Sequence, residues 1–352
     1  MTITREELED ILGYGVMAPS GDNCQPWDFT VEGQSLQIIN NESRDTSLFN
    51  VSKSASFIAC GALLENISIA AMAAGYKTEA ALFPEGISGQ VVARISFQKT
   101  EKKKDKLFAY LDKRCTNRSP FKGKALARET VSSLKAVTKD LGYGELTLLQ
   151  DRAAIKKAAA VASLNDRLLF ENKRLHDFLF EHIRWTKKEI EETRDGMDID
   201  TLGLFPIEKQ GFGMLASWPL VRFMNIFGLS RMLPVRSKVI YKSSSAFGLL
   251  QMPGKTPKDF VMGGRALQRI WLTATAEGLS FQPTTGITFL IQRLYMEDGS
   301  GLSPKEVKIV EEAEAGLKRI LPTSRDKAII MLFRIGRSGP PKAYSLRRKV
   351  RL

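Results

Sequence analysis

Residues 57–76 read FIACGALLENISIAAMAAGY, and residues 260–279 read FVMGGRALQRIWLTATAEGL. Seven of the twenty positions agree at a single offset of 203 residues: Phe57/Phe260, Gly61/Gly264, Leu64/Leu267, Ile67/Ile270, Ala71/Ala274, Ala73/Ala276 and Gly75/Gly278. Phe57, Gly61, Leu64, Ile67 and Ala71 recur at helical spacing, with small residues where a second helix can pack closely. Gly75 and Gly278 stand where a helix would end on a left-handed residue. Both stretches are therefore read as long buried helices belonging to a duplicated unit.

Working outward, each helix is followed by a β-branched and aliphatic run, VVARISF at 91–97 and AIIMLFRIG at 328–336. FTVEG with SLQIIN, ELTLLQ and SSSAFGLLQM are further strand candidates. The expectation is an α+β fold of two related halves forming an intramolecular pseudo-dimer. A charge run, TEKKKDK at 100–106, places the first half at 1–100 and the second at 101–352, although the same run also suits an exposed helix start. At about 165–239 the second half carries an insertion, a charged helical stretch followed by GFGMLASWPLVRFMNIFGLSRML. Its apolar residues mix with Arg222, Arg231 and Arg236, a composition suited to a helical lid over a ligand, to a membrane-surface helix or to ordinary core helices.

A chain of 352 residues has room for two domains or one large one, and 43% apolar residues is globular composition. The charge balance, 52 Lys and Arg against 39 Asp and Glu, gives +13 and an attraction for phosphates or other anions. No nucleic-acid-binding motif or interleaved aromatic patch accompanies it, so no specific nucleic acid is expected. The opening MTITREELEDILGYG has acids where a secretory leader needs a basic and then an apolar segment. The apolar stretch at 211–221 stops at Arg222, short of the ~20 residues that cross a bilayer, so no transmembrane span is expected. Cys24, Cys60 and Cys115 are odd in number and form no C-x-x-C, which fits a reducing, cytoplasmic setting and no metal.

Most catalytic signatures are absent. His176 and His182 lie six residues apart and do not share a helix face, which disfavours a histidine triad or zinc site. No P-loop and no strand-linked G-x-G-x-x-G occurs. Three stretches are more informative. APSGDNCQPWDF at 18–29 is a turn rich in Pro, Ser, Gly, Asp and Asn between an apolar helix and a strand. RCTNRSPF at 114–121 spaces Arg114 and Arg118 by four residues with Thr116 between them, suited to gripping a phosphate by charge and hydroxyl. YSLRRKV at 344–350 adds two guanidinium groups, or is a disordered basic end.

These residues resemble the FMN-dependent nitroreductase family. Ala18, Pro19, Ser20, Asn23, Gln25, Pro26, Trp27 and Phe29 match its APSxxNxQPWxF motif. Arg114, Thr116 and Arg118 match its RxTxR segment, which in that family opens a helix. Gly264, Gly278, Leu279 and Pro283 match a Gly-bounded helix, and Arg347 matches a closing arginine. The resemblance implies that Arg114, Thr116 and Arg118 hold the phosphate and ribityl side of FMN, helped by Arg347 or Arg348. It implies that Pro19, Ser20, Asn23 and Gln25 approach the isoalloxazine and that Pro283 and Thr284 lie near its reactive edge. Each half keeps one complementary part of a site, so the chain resembles the duplicated single-chain subgroup with a lid, the insertion standing where a second APSxxNxQPW turn would be.

The implied activity is an oxidoreductase passing hydride through the flavin to a small, electron-poor acceptor, with no catalytic side chain required. NADH or NADPH would be a transient donor, leaving before the acceptor enters in ping-pong turnover. The alternative is an FMN-sequestering or storage protein with little such activity. The molecule is expected to be a monomer acting as an intramolecular dimer.

Overall fold

The computed structural model describes residues 3–352, so Met1 and Thr2, with which the first half was expected to begin, lie outside it. That half runs α1 (Arg5–Gly15), β1 (Trp27–Glu32), β2 (Ser35–Asn40), α2 (Ser54–Ala74), β3 (Tyr76–Leu82) and β4 (Val91–Lys99). There follow α3 (Arg128–Leu141), β5 (Glu145–Leu149), α4 (Arg152–Glu171), α5 (Lys173–Glu181), β6 (Ile183–Arg184), α6 (Lys187–Thr193) and β7 (Met197–Asp198). The chain continues through α7 (Pro206–Met214), α8 (Trp218–Ile226), α9 (Leu229–Lys242), β8 (Ala246–Met252) and α10 (Pro257–Ala276). It closes with β9 (Ser280–Pro283), α11 (Gly286–Glu297), α12 (Pro304–Lys318) and β10 (Ala328–Gly336).

Two four-stranded antiparallel sheets carry the fold, in the orders β1-β2-β4-β3 and β5-β8-β10-β9. Matching β1 with β5, β2 with β8, β3 with β9 and β4 with β10 makes the two orders identical. The repeat first visible in two helices therefore extends to the strand order of the sheets, and the α+β class with two related halves is the one observed. β8 and β10 are buried along their whole length, with helices on both faces of the second sheet, whereas β3 after Tyr76 alternates exposed and half-buried residues.

The halves meet through α2 and α10, and the contact obeys the symmetry that the repeat implies. A Cβ on Gly61 would lie 1.9 Å from the Val261 carbonyl oxygen, and a Cβ on Gly264 would lie 2.0 Å from that of Ile58. Ile58 and Val261 are themselves equivalent positions, as are Glu65 with Gln268 and Asn66 with Arg269. Gln268 donates to the Asn66 side chain at 2.6 Å, and Arg269 donates to Glu65 at 2.6 Å. Each contact maps onto its mate when the halves are exchanged, which is the mark of an isologous two-fold interface. The 51–74 segment is long and apolar enough to cross a membrane, but 78% of its 18-residue apolar window is buried inside the protein in this central helix.

The insertion is not where a second APSxxNxQPW turn would be. That turn joins α1 to β1, and the corresponding join between α3 and β5 is only Gly142, Tyr143 and Gly144. The added chain instead lies between β5 and β8, at the place of the tight β1–β2 hairpin in the first half. Loop insertions at a hairpin leave the paired strands in register, which is why β5 and β8 still pair.

Candidate functional site

A cavity of about 440 Å³ lies at the junction of the two halves and the insertion. Pro19 and Ser20 of the first half, Thr116 and Arg118, and Pro283 and Thr284 of the second all line it. One wall is α2 and α10, through Ile58, Ala59, Ala62, Leu267 and Trp271. The roof comes from the insertion: Leu169, Phe170, Phe178, Leu204 and Phe212 among others. The enclosed space is largely apolar with a few convergent polar groups, the usual composition of a small-molecule site.

The turn at 18–29 is held in sparsely populated backbone conformations, with Asp22, Asn23 and Gln25 at φ of 44°, 57° and 50°. The surrounding hydrogen bonds explain how it is kept there. Asn23 Nδ2 donates to the carbonyls of Gly196 and Leu346, both at 3.0 Å. Gln25 Nε2 donates to Arg194 O at 2.9 Å, and Gln25 Oε1 accepts from the Arg348 amide at 2.9 Å. Asn23 and Gln25 thus do not reach the cavity. They tie the turn to the insertion and to the C-terminal tail, which is ordered against the protein.

Residues 114–118 are extended, not helical: Thr116 bridges to Phe281 of β9, and the Asn117 amide donates to Phe281 O at 2.9 Å. Edge pairing along β9 satisfies backbone groups that a helix would otherwise have used. Arg118 enters the cavity wall and donates to Thr201 O at 3.0 Å. Arg114 does not line the cavity; it lies over the Trp271 ring, 4.4 Å from its centroid, and donates to Met17 O at 3.0 Å. Arg347 also lies outside the wall, donating to the carbonyls of Ser345 and Leu346. Arg348 is engaged elsewhere, in an ion pair with Asp195.

Arg114 and Arg347 are electrostatically unusual. Among the described residues neither pairs with a carboxylate, and the Nε of each is buried without a partner. Burial, with repulsion from Arg347, draws the Arg114 guanidinium down to about 9, and burial draws Arg347 down to about 10. The pair is a positively charged spot with unused donors. Burial also pushes the Asp166 carboxyl in the cavity wall up to about 6, against the Ser237 hydroxyl that donates to it and the Arg236 charge. The Cys24 thiol is pushed well up by burial, so it is no thiolate nucleophile.

Several cavity residues carry no sequence signal. Asn165 lines the cavity with its Oδ1 buried and unpartnered, packed where a Cβ on Gly286 would come within 2.1 Å. Asp166, Tyr241 and Trp271 sit at apolar helical spacing and read as core. Arg334, an interior residue of β10, is fully buried with its guanidinium 3.8 Å from the Phe121 ring centroid, donating to Gln282 Oε1 at 2.7 Å and Ser119 O at 2.8 Å. Only a structure places Asn165, Asp166, Tyr241 and Trp271 on the cavity, and Arg334 outside its lining but bonded to the lining residue Gln282. His176 and His182 are structural: His176 Nε2 lies 2.8 Å from Leu215 O and His182 Nδ1 lies 2.8 Å from Phe178 O. No cluster of three or more potential metal ligands exists among the described residues.

No protein-family profile matches the sequence. The uncharacterized protein MT1398 of Mycobacterium tuberculosis (strain CDC 1551 / Oshkosh) is 26% identical over 344 residues, 97% of this chain and 47% of that protein. The chain thus spans about half the length of this relative. The uncharacterized protein Rv3127 of M. tuberculosis (strain ATCC 25618 / H37Rv) is 25% identical over 297 residues, 81% of this chain and 79% of that protein. Among solved structures, the FMN-dependent nitroreductase NfnB from Mycobacterium smegmatis in complex with NADPH is similar at TM-score 0.35 and 13% identity, covering 68% of this chain and 90% of that one. An iodotyrosine deiodinase bound to FMN and 3-iodo-L-tyrosine is similar at TM-score 0.36 and 12% identity, covering 70% and 97%.

Proposed function

We propose that the chain is an FMN-dependent, nitroreductase-like oxidoreductase that passes hydride to a small, planar, electron-poor acceptor. The observation that carries this reading is convergence: Pro19 and Ser20, Thr116 and Arg118, and Pro283 and Thr284, from three distant segments, line one cavity. The residues present fit the cofactor. On the cavity wall Thr116 and Arg118 offer a hydroxyl and a charge and Asn165 Oδ1 offers an unused acceptor for a ring N–H; outside the wall, Arg114 and Arg347 add positive charge, each with its Nε unpartnered. The apolar walls from α2, α10 and the insertion would hold the ring system and exclude water.

When bound, FMN supplies the hydride-transferring centre, so no protein acid or base is required for that step. The protein's part is to bind, orient and shield. Arg118 anchors charge from the wall, with Arg114 and Arg347 adding positive potential from outside it, the strained turn presents Pro19 and Ser20, and the insertion acts as a lid that limits which acceptors enter. NADH or NADPH would share the cavity as a transient donor. One complementary set of segments implies one flavin per chain in a monomer that functions as an intramolecular dimer.

The test is the flavin content of purified protein followed by anaerobic mixing with NADH or NADPH. One equivalent of released FMN per chain, and bleaching of the flavin band on mixing, is the expected result. Protein that neither carries nor takes up FMN would refute the reading. Flavin retained but never reduced would identify a sequestering protein instead.

A further inference from the structure

Nine of the fourteen large hydrophobic side chains that stand exposed among the described residues lie between Phe205 and Val239. The densest group is on α8 and α9. Phe223, Ile226 and Phe227 are 58%, 77% and 74% exposed, and Met232, Val235 and Val239 are 69%, 60% and 63% exposed. The spacings, three and four residues apart, keep each trio on one helix face, while Val221 and Ser230 are buried on the other. A contiguous exposed apolar face of this kind marks an interaction surface.

Charge identifies the partner. From residue 209 to residue 258 the sequence contains no Asp or Glu. Lys209 and Arg236 are tied to Asp200 and Glu208, but Arg222, Arg231, Lys238 and Lys242 have no ion-pair partner among the described residues. The face is therefore apolar, rimmed by free positive charge. A second copy docked on this face would bring Arg222 and Arg231 of both copies to one interface with no acid from residues 209–258 to neutralise them, which like-charge repulsion opposes. An anionic bilayer answers both features at once, headgroup phosphates for the arginines and acyl chains for the Phe, Ile and Met side chains. α8 and α9 have 9 and 14 residues, too short to span, so they would lie in the interface plane.

We propose that α8 and α9 form a docking face for an anionic lipid surface, an inference independent of the flavin reading. The test is co-sedimentation of the full chain with vesicles of phosphatidylcholine alone and of phosphatidylcholine mixed with phosphatidylglycerol. Binding to the mixed vesicles is expected, at least tenfold stronger than to the neutral ones, and falling steeply as salt rises from about 0.1 M to about 1 M because screening shortens the reach of the charges. Ile226→Glu with Phe227→Glu should abolish it, and Arg222→Glu with Arg231→Glu should reduce it at least tenfold; these positions are exposed, and unchanged circular dichroism verifies the fold. Failure to bind mixed vesicles overturns the proposal. So does equal binding to both vesicle types. A dimer in sedimentation velocity that the Ile226→Glu, Phe227→Glu variant dissolves would overturn it in favour of contact between copies.

Discussion

Arg114 and Arg347 are positive side chains buried without a carboxylate, an arrangement that is costly unless an anion completes it. If that anion is the cofactor phosphate, the two properties of Arg114 move in opposite directions when it is replaced. Arg114→Met should weaken flavin binding about 10- to 100-fold, the loss of one charge-assisted bond, while raising the stability of flavin-free protein by on the order of 1 kcal/mol, since a desolvated charge is removed. Fluorescence of released flavin and thermal melts of the stripped protein measure the two effects, with the exposed Arg128→Met as the neutral control. A drop in both would instead make Arg114 a structural residue. Asp166 gives a second residue-level expectation. Its folded value of about 6 is raised by burial, so the folded state holds the proton to higher pH than the unfolded chain does. Stability from this group is present below about 4 and is lost as pH rises through about 6. Asp166→Asn should therefore match the parent near pH 4 and exceed it by on the order of 1–3 kcal/mol at pH 7.5, read by denaturant titration at both values.

Among the elements, the α2–α10 crossing is the joint of the molecule, and its symmetry makes a paired prediction. Gly61→Ala and Gly264→Ala each push a methyl group into a backbone carbonyl of the opposite helix, which cannot rotate away. Both should destabilise the protein by about 3 kcal/mol or more, and by similar amounts, whereas Gly13→Ala on α1, with open space around it, should be neutral or slightly stabilising. Unequal costs in chemical denaturation would show that the two-fold relation does not extend to the energetics. The same crossing shows what the sequence could disclose. Helical period, small residues and terminal glycines announced α2 and α10, and runs rich in β-branched and aliphatic residues announced β4, β8 and β10, because burial imposes an apolar pattern on local sequence. The joins between elements were not so visible. The extended course of 114–118 depends on β9 lying alongside, and the location of the insertion depends on which strands pair. Both are long-range facts with no local pattern, and cavity residues such as Asn165 and Trp271 share the apolar spacing of core.

At the scale of the whole molecule, the repeat and the inserted segment play different parts. Two halves with the same strand order build a cavity at their junction, and the segment between β5 and β8 roofs it. The insertion contacts the strained turn through Gln25 and Arg194, and its own helices are joined by the His176–Leu215 bond. Within it, α6 and α7 both lack buried residues, but only α7 reaches the cavity. It has no buried residue, yet Phe212 and the preceding Leu204 face the cavity. An element with little buried apolar area opens at low free-energy cost, so if the insertion is a lid α7 is its expected moving part, while α4 and α9 stay packed. Replacing residues 205–214 with a Gly/Ser linker should then leave the fold and the bound flavin in place and speed reduction by dithionite or a nicotinamide analogue at least several-fold in stopped-flow absorbance. Access would rise most for bulky donors, because a wider opening matters little to a reductant that already passes. Flavin retained with unchanged reduction rates for small and bulky donors alike would show that α7 gates nothing, and that the insertion serves the cavity only as a fixed wall.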